Sequence, residues 1–379
     1  MIAMAPPEAS CKYSPEPSRL ERAAGKYLRS TCKNDPSRPA SLGPEEIDAI
    51  RRARRAAVGW AMVSGAVSGS LIGGTEMFLR LVVLDDPDMS RWRDNLWAWA
   101  GFYVFVGVLT ILEVLFLYWN SLRGVAKIGA IAGVDLDGDN HSDALVAGLA
   151  RGALEMPNPR TKIYGVDPYA YLSGWRLLVQ NILYKMKVGA TSFVMRILMR
   201  RVFTRAALRA YIPLLAIPLY AAWNAFITWR VVSEAWLRAV GPSAVERIHA
   251  QLSKARDSNN EREWELILHG VGEMIRRSGD AHPNNFLLLA HLVPELENAE
   301  ELEVDWYGRR DTLDALDEDG KSRLLSVLAM TSVLAGKPRK AQRKFLRSVH
   351  DDCGREYRDD HVDALRKDLM KGCLALSEE

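Results

Sequence analysis

The chain has 379 residues, 48% of them hydrophobic and 26% charged, with a formal net charge of +3. Averages this ordinary exclude a disordered chain, a collagen-like repeat and a small disulfide scaffold, and the length allows two or three domains. Charge is segregated: residues 120–209 carry 13 Lys/Arg against 6 Asp/Glu and residues 241–379 carry 21 against 27, unlike a uniformly basic nucleic-acid binder.

Residues 1–44 hold Pro6, Pro7, Pro15, Pro17, Pro36, Pro39 and Pro44. So proline-rich a stretch has little apolar surface to repay ordering, and a disordered tail is expected. It lacks the basic-then-apolar start of a cleavable signal peptide. Ser41 to Ile50 then reads as a helix start, with Glu45 and Glu46 where the helix dipole favours acids.

Residues 45–119 read as a hairpin of two transmembrane helices. Arg51-Arg52-Ala53-Arg54-Arg55 leads into the uncharged run Ala56 to Thr75, which as a helix spans about 30 Å, a hydrocarbon core's thickness. Gly65, Gly69 and Gly73 recur at every fourth position, a glycine-zipper spacing that lets a second backbone approach one smooth face. A glycine-rich soluble linker is the rival reading, disfavoured by that spacing. The second run, Leu96 to Trp119, is broken only by Glu113 and carries aromatics at both ends, as an interfacial belt requires. The acidic loop between the runs, with Asp85, Asp86 and Asp88, belongs outside by the positive-inside rule, which leaves the N-terminus cytoplasmic. A carboxyl within a membrane helix is a functional candidate by default, so Glu113 is expected to face an ion path or a partner such as Asn224. Snorkelling toward the interface competes with that role. Glu76 reads as an interfacial residue.

Residues 120–209 form a basic amphipathic region with an acidic loop, Gly133 to Asp143, spaced D-x-D-x-D-N-x-x-D. Carboxylates at loop positions 1, 3 and 5 converge on one point, as a hard cation requires, so Asp135, Asp137, Asp139, His141 and Asp143 are candidate ligands for Ca²⁺ or Mg²⁺. Val146 stands where an EF-hand needs Glu, and the nine-residue form resembles the calcium loop of integrin-type β-propeller repeats. An acidic turn in which Ser142 or Asp143 caps a helix from Ala144 to Leu154 is the alternative. From Trp175 to Arg209 the sequence alternates apolar and basic letters. Arg196, Arg200, Arg201, Arg205 and Arg209 suit a helix lying on anionic lipid, and no nucleic-acid module is present. With Asn158-Pro159-Arg160 and Gly165-Val166-Asp167-Pro168, residues 120–240 resemble uncharacterised bacterial multi-pass membrane proteins. That resemblance implies a bacterial inner membrane and no particular activity.

Residues 210–240 contain a third uncharged run, Ala210 to Trp229, with Pro213, Pro218 and Asn224 inside it. Prolines are tolerated in membrane helices when neighbours satisfy the freed carbonyls. One crossing here places the C-terminal domain outside; a further crossing within residues 176–232 returns it to the cytoplasm.

Residues 241–379 read as a soluble helical domain. Glu261 to Ser278, Phe286 to Glu297, Lys321 to Ala335 and Ala341 to His350 carry apolar residues three and four apart, with Gly336-Lys337-Pro338 as a stop and restart. The pattern Leu324 to Gly336, Gln342 to Val349 and Val362 to Leu369 resembles the TerB-like helical domain over about residues 317–371. That family's metal use implies acids near the turn, where Ala335 and Gln342-Arg343 stand here. Gly320-Lys321-Ser322 lacks the upstream glycine of a phosphate loop, Ala315 taking its place. Cys11, Cys32, Cys353 and Cys373 have no zinc or disulfide spacing and read as reduced thiols.

The expectation is therefore an all-α, multi-pass membrane protein with a soluble C-terminal helical domain. Its expected role is a homo-oligomeric scaffold with a calcium-type loop, contacts to anionic lipid and a protein partner docked on that domain, with no enzymatic activity. An ion channel or transporter using Glu113 and Asn224 is the alternative, and a metal-dependent membrane enzyme the third reading.

Overall fold

A computed structural model describes residues 17–32, 43–84, 93, 95–133, 140–154, 156, 158–175, 212–256, 261–293 and 302–371. Among the described residues the chain is helical, with one isolated bridge between Ile163 and Val166 and no strand. In chain order the helices are α1 (Arg19–Thr31), α2 (Pro44–Phe78), α3 (Leu96–Ala132), α4 (Asn140–Ala153) and α5 (Ile212–Arg256). They continue with α6 (Glu261–Arg276), α7 (Pro283–Leu292), α8 (Trp306–Arg309), α9 (Glu318–Leu334), α10 (Lys340–Asp352) and α11 (Asp359–Leu369). A π-helical turn, Leu79–Val83, extends α2, and a 3₁₀ segment, Arg310–Ala315, follows α8.

Packing divides the chain into two units that interleave along the sequence. Unit 1 draws on residues 1–50, 126–173 and 234–379, and unit 2 on residues 51–125 and 174–233. Charge composition divides the chain into consecutive windows instead, because it cannot see contacts between distant segments.

In unit 1, α6 packs most extensively on α9. Leu266, Val271, Met274 and Ile275 of α6 meet Leu324, Leu328 and Val333 of α9 in a buried core, closed by Phe345, Leu346 and Val349 of α10. Gly270 is needed where α6 passes closest, since a Cβ there stands 3.0 Å from Leu328 and from the Trp306 ring. The Asp317 side chain caps α9 by accepting the Gly320 N–H at 2.7 Å, and Gly336, at φ +103°, ends it. These elements follow the helices read from the sequence to within a few residues.

The start of the chain departs from its reading as a disordered tail. Residues 19–31 form α1, opened by a capping box in which Ser18 and Glu21 satisfy each other's backbone N–H. Leu28 and Ala24 are buried, Glu21 pairs with Arg151 in a buried ion pair, and α1 lies on α4. Averaged over 44 residues, proline content hid the proline-free window between Pro17 and Pro36.

Unit 2 contains the uncharged parts of α2, α3 and α5. The Asn120 side chain on α3 donates to the Ala57 carbonyl on α2 at 2.8 Å, and a Cβ on Gly124 stands 3.3 Å from Ala57 and 3.5 Å from Val232 of α5. Farther along, Gly65 and Gly69 of α2 meet Tyr220 and Ile217 of α5, and Glu113 of α3 meets Asn224. These registers make α3 and α5 parallel to each other and both antiparallel to α2. Ala57, Gly124 and Val232 therefore mark one common end of unit 2. At the opposite end Ile72, Trp99 and Phe102 form a small core beside a buried Glu76–Arg80 ion pair. Glu76, read from the sequence as interfacial, is paired with Arg80 near this end of α2.

Candidate functional site

The polar groups inside the uncharged helices come together at one place. Asn224 donates through its Nδ2 to the Glu113 Oε1 at 2.6 Å. The same Nδ2 stands 2.8 Å from where a Cβ on Gly65 would lie. Gly65 is buried, and that Cβ would meet the Tyr220 carbonyl oxygen at 2.6 Å; at Gly69 the Ile217 Cα is 3.1 Å away. Small residues at these positions let α2 approach α5 at backbone distance, which brings the Asn224 amide within reach of the carboxyl on α3. Ser68, one turn from Gly65, donates back to the Gly65 carbonyl at 3.3 Å. Gly73 is buried in the same row. The sequence singled out Glu113, Asn224 and the glycine row separately; the structure joins Glu113, Asn224, Gly65 and Gly69 in one contact region.

The acidic loop gives a different picture. Helix α4 begins at Asn140, four residues before the expected start, so Asp143 lies in its first turn and not ahead of it. The Asp143 carboxylate pairs with the Arg29 guanidinium of α1. Asp135, Asp137 and Asp139 lie outside the described residues, as does the side chain of His141. Among the described residues no group of three or more His, Cys, Asp or Glu side chains is placed to hold a metal ion. Arg196, Arg200, Arg201, Arg205 and Arg209 also lie outside the described residues, and so do the loop acids Asp85, Asp86 and Asp88. The third run is helical from Ile212, while Ala210 and Tyr211 lie outside the described residues.

Unit 1 contains a buried polar centre that sequence reasoning missed. Arg238, 4% exposed, donates to the Gly148 carbonyl, to Asn158 Oδ1 at 3.2 Å and to Glu234. Fully buried His282 meets the same Glu234 oxygen at 3.1 Å, and its Nδ1 caps α7 by accepting the Asn284 N–H at 3.2 Å. Asn284 then donates to the carbonyls of Leu237 and Leu334, at 3.1 and 2.9 Å, tying α5 to α9. Burial works against the Glu234 charge, but Arg238 and His282 more than offset it and hold the carboxyl well below the usual range. Gly241 keeps open the space that Asn284 fills. The signals were present: Glu234 and Arg238 stand four apart in an apolar helix, and His282-Pro283 is a helix start. The network fastens α4, α5, α7 and α9 together, and leaves the buried Asn284 Oδ1 without a hydrogen-bond partner.

Two thiols are buried. Cys32 donates weakly to the Ala126 carbonyl at 3.3 Å, and burial pushes it up to about 11; burial also raises Cys353.

Two helices are long and apolar enough to cross a membrane, Pro44–Val83 and Leu96–Ala132. Comparison with protein-family models, with curated proteins and with solved structures gives no match to the chain.

Proposed function

We propose that this chain is a multi-pass membrane protein of assembly type, in which unit 2 is embedded in lipid and unit 1 offers a helical docking domain to a partner. The observation that carries the reading is the exposure of α3. Only 6% of its most apolar stretch is buried, whereas the core helix of a water-soluble protein is mostly covered. Val104, Phe105, Val108, Ile111, Leu112 and Leu115 are all exposed and contiguous on this helix, with Glu113 the one charge between Leu96 and Trp119. An apolar surface of this length on a water-soluble protein is an aggregation liability; in a bilayer it is the natural solvent.

The helix directions give this reading a topology. Of the four places where the chain passes between the units, one is 173/174, and 50/51, 125/126 and 233/234 lie at the end marked by Ala57, Gly124 and Val232. Segments joined there emerge on one face of the bilayer, and Arg51 to Arg55 make that face cytoplasmic by the positive-inside rule. Because α3 and α5 run the same way, this reading puts the chain after Val232 on the same, cytoplasmic face as Arg51 to Arg55.

Glu113 and Asn224 act here as packing glue. Each polar group satisfies the other, and the glycine row is covered by α5 of the same chain, so self-association would use another face. A channel is the second reading, favoured by the same polar pair. Ion flux through protein reconstituted in liposomes decides between them: none above empty liposomes supports assembly. Flux that falls in Glu113→Gln without loss of fold would replace it with an ion path.

A further inference from the structure

The end of unit 2 that carries these three chain passages has an ordered surface. Each of the three helices contributes one exposed tryptophan: Trp60 on α2, Trp119 on α3 and Trp229 on α5, exposed by 59%, 51% and 47%. Their levels follow from the helix registers. Trp60 lies three residues beyond Ala57, Trp119 adjoins Asn120, and Trp229 lies three residues before Val232, while Ala57, Asn120, Gly124 and Val232 meet one another. At 1.5 Å per residue the three rings fall within about one helical turn of a common plane.

Each tryptophan has an exposed arginine on its own helix, at the same level or toward the chain passages: Arg55, Arg123 and Arg230. The Arg123 guanidinium sits over the Trp119 ring, 5.4 Å from its centroid. The described acids of unit 2 are Glu76 and Glu113. Glu76 is paired with Arg80 at the far end, and Glu113 lies six residues beyond Trp119 toward that end. The collar is therefore positive and has no acid of its own level among the described residues of the unit. The opposite boundary is consistent with a bilayer: Trp97, 91% exposed, stands 22 residues from Trp119, about 33 Å along the helix.

We propose that Trp60, Trp119 and Trp229 with Arg55, Arg123 and Arg230 form a collar that binds anionic phospholipid head groups and fixes the depth of unit 2 in the membrane. The indoles sit at the level of the glycerol backbone, and the guanidiniums, at that level for Arg230 and about a turn farther out for Arg55 and Arg123, meet the phosphates. This rests on the membrane reading above and adds to it a lipid class, a depth and a set of residues.

The test is tryptophan quenching in proteoliposomes that contain either brominated phosphatidylglycerol or brominated phosphatidylcholine. A Trp60→Phe/Trp119→Phe/Trp229→Phe variant identifies the share of quenching that belongs to the collar. For that share the anionic lipid is expected to bind at least about fivefold more tightly, the factor supplied by one interfacial cation. The ratio should fall toward one in Arg55→Gln/Arg123→Gln/Arg230→Gln, whose exposed substitutions leave the helical circular dichroism intact. A ratio near one in the unaltered protein, or one unchanged by the arginine substitutions, overturns the collar while the membrane reading stands. Quenching by neither lipid in folded protein overturns both.

Discussion

Replacing Gly65 with Ala is the most direct perturbation of the helix packing. The added Cβ would stand 2.6 Å from the Tyr220 carbonyl oxygen and 2.8 Å from both its carbon and the Asn224 Nδ2. Two of these atoms are backbone, so α5 has to move as a rod; reaching ordinary contact at 3.4 Å needs about 0.8 Å of separation. Overpacking of this kind costs about 1–3 kcal/mol. Gly59 on the same helix is the control, because a Cβ there meets nothing within 4 Å. Gly59→Ala should be neutral or gain up to about 1 kcal/mol from helix propensity. The propensity gain is common to both sites, so the two single-methyl changes should differ by the overpacking alone, about 1–3 kcal/mol, with Gly69→Ala, whose nearest atoms are 3.1 and 3.2 Å away, between them. The assay is unfolding in mixed micelles by titration with dodecyl sulfate, followed by circular dichroism. Equal midpoints for Gly65→Ala and Gly59→Ala would refute the close approach of α2 and α5.

Asn224→Leu should destabilise by about 1–3 kcal/mol in the same titration, because the half-buried Glu113 loses its Asn224 donor and keeps only Ser68; Glu113→Gln, which keeps an acceptor for Asn224, should change it by less than about 1 kcal/mol. In Cys11→Ser/Cys373→Ser protein, Cys32 and Cys353 should resist maleimide at pH 8 while folded and react on unfolding, since burial keeps both thiols protonated; fast labelling of the folded protein would show that α1 does not cover Cys32. The Glu234 carboxyl is held low in the folded state, so its contribution is complete above the unfolded value near pH 4.3 and is lost as pH falls below it toward the folded value. Glu234→Gln should accordingly flatten the acid limb of a stability–pH curve below about pH 4. Millimolar Ca²⁺ should leave the melting temperature unchanged, because Arg29 already neutralises Asp143; a rise abolished by Asp137→Ala/Asp139→Ala would show that the loop gives up that pair for a cation.

Much of the helical content was legible because it rests on local patterns. The Asp317 cap, the Gly336 stop and the apolar spacing in α6, α9 and α10 are each written within a few consecutive residues. The glycine row and the isolated Glu113 were legible for the same reason, each being an exception within an uncharged run. What was not legible depends on residues far apart in sequence. The Glu21–Arg151 pair joins residues 130 apart, and Arg238 reaches Gly148 and Asn158 across 90 and 80 positions. Such partners carry no local signature: an arginine in an apolar helix reads the same whether it ends in lipid head groups or in a buried carbonyl.

The direction of the helices in unit 2 illustrates how contacts supply what composition cannot. Counting uncharged runs gives three and leaves two outcomes: a single crossing at the third run places residues 241–379 outside, and a further one returns them to the cytoplasm. The contacts of single residues fix direction instead. Gly69 meets Ile217 and Gly65 meets Tyr220 and Asn224, so the order on α5 is reversed relative to α2. Glu113 meets Asn224 and Gly124 meets Val232, so the order on α5 follows that on α3. Under the membrane reading proposed above, parallel α3 and α5 place the chain after Val232 on the same face as Arg51 to Arg55.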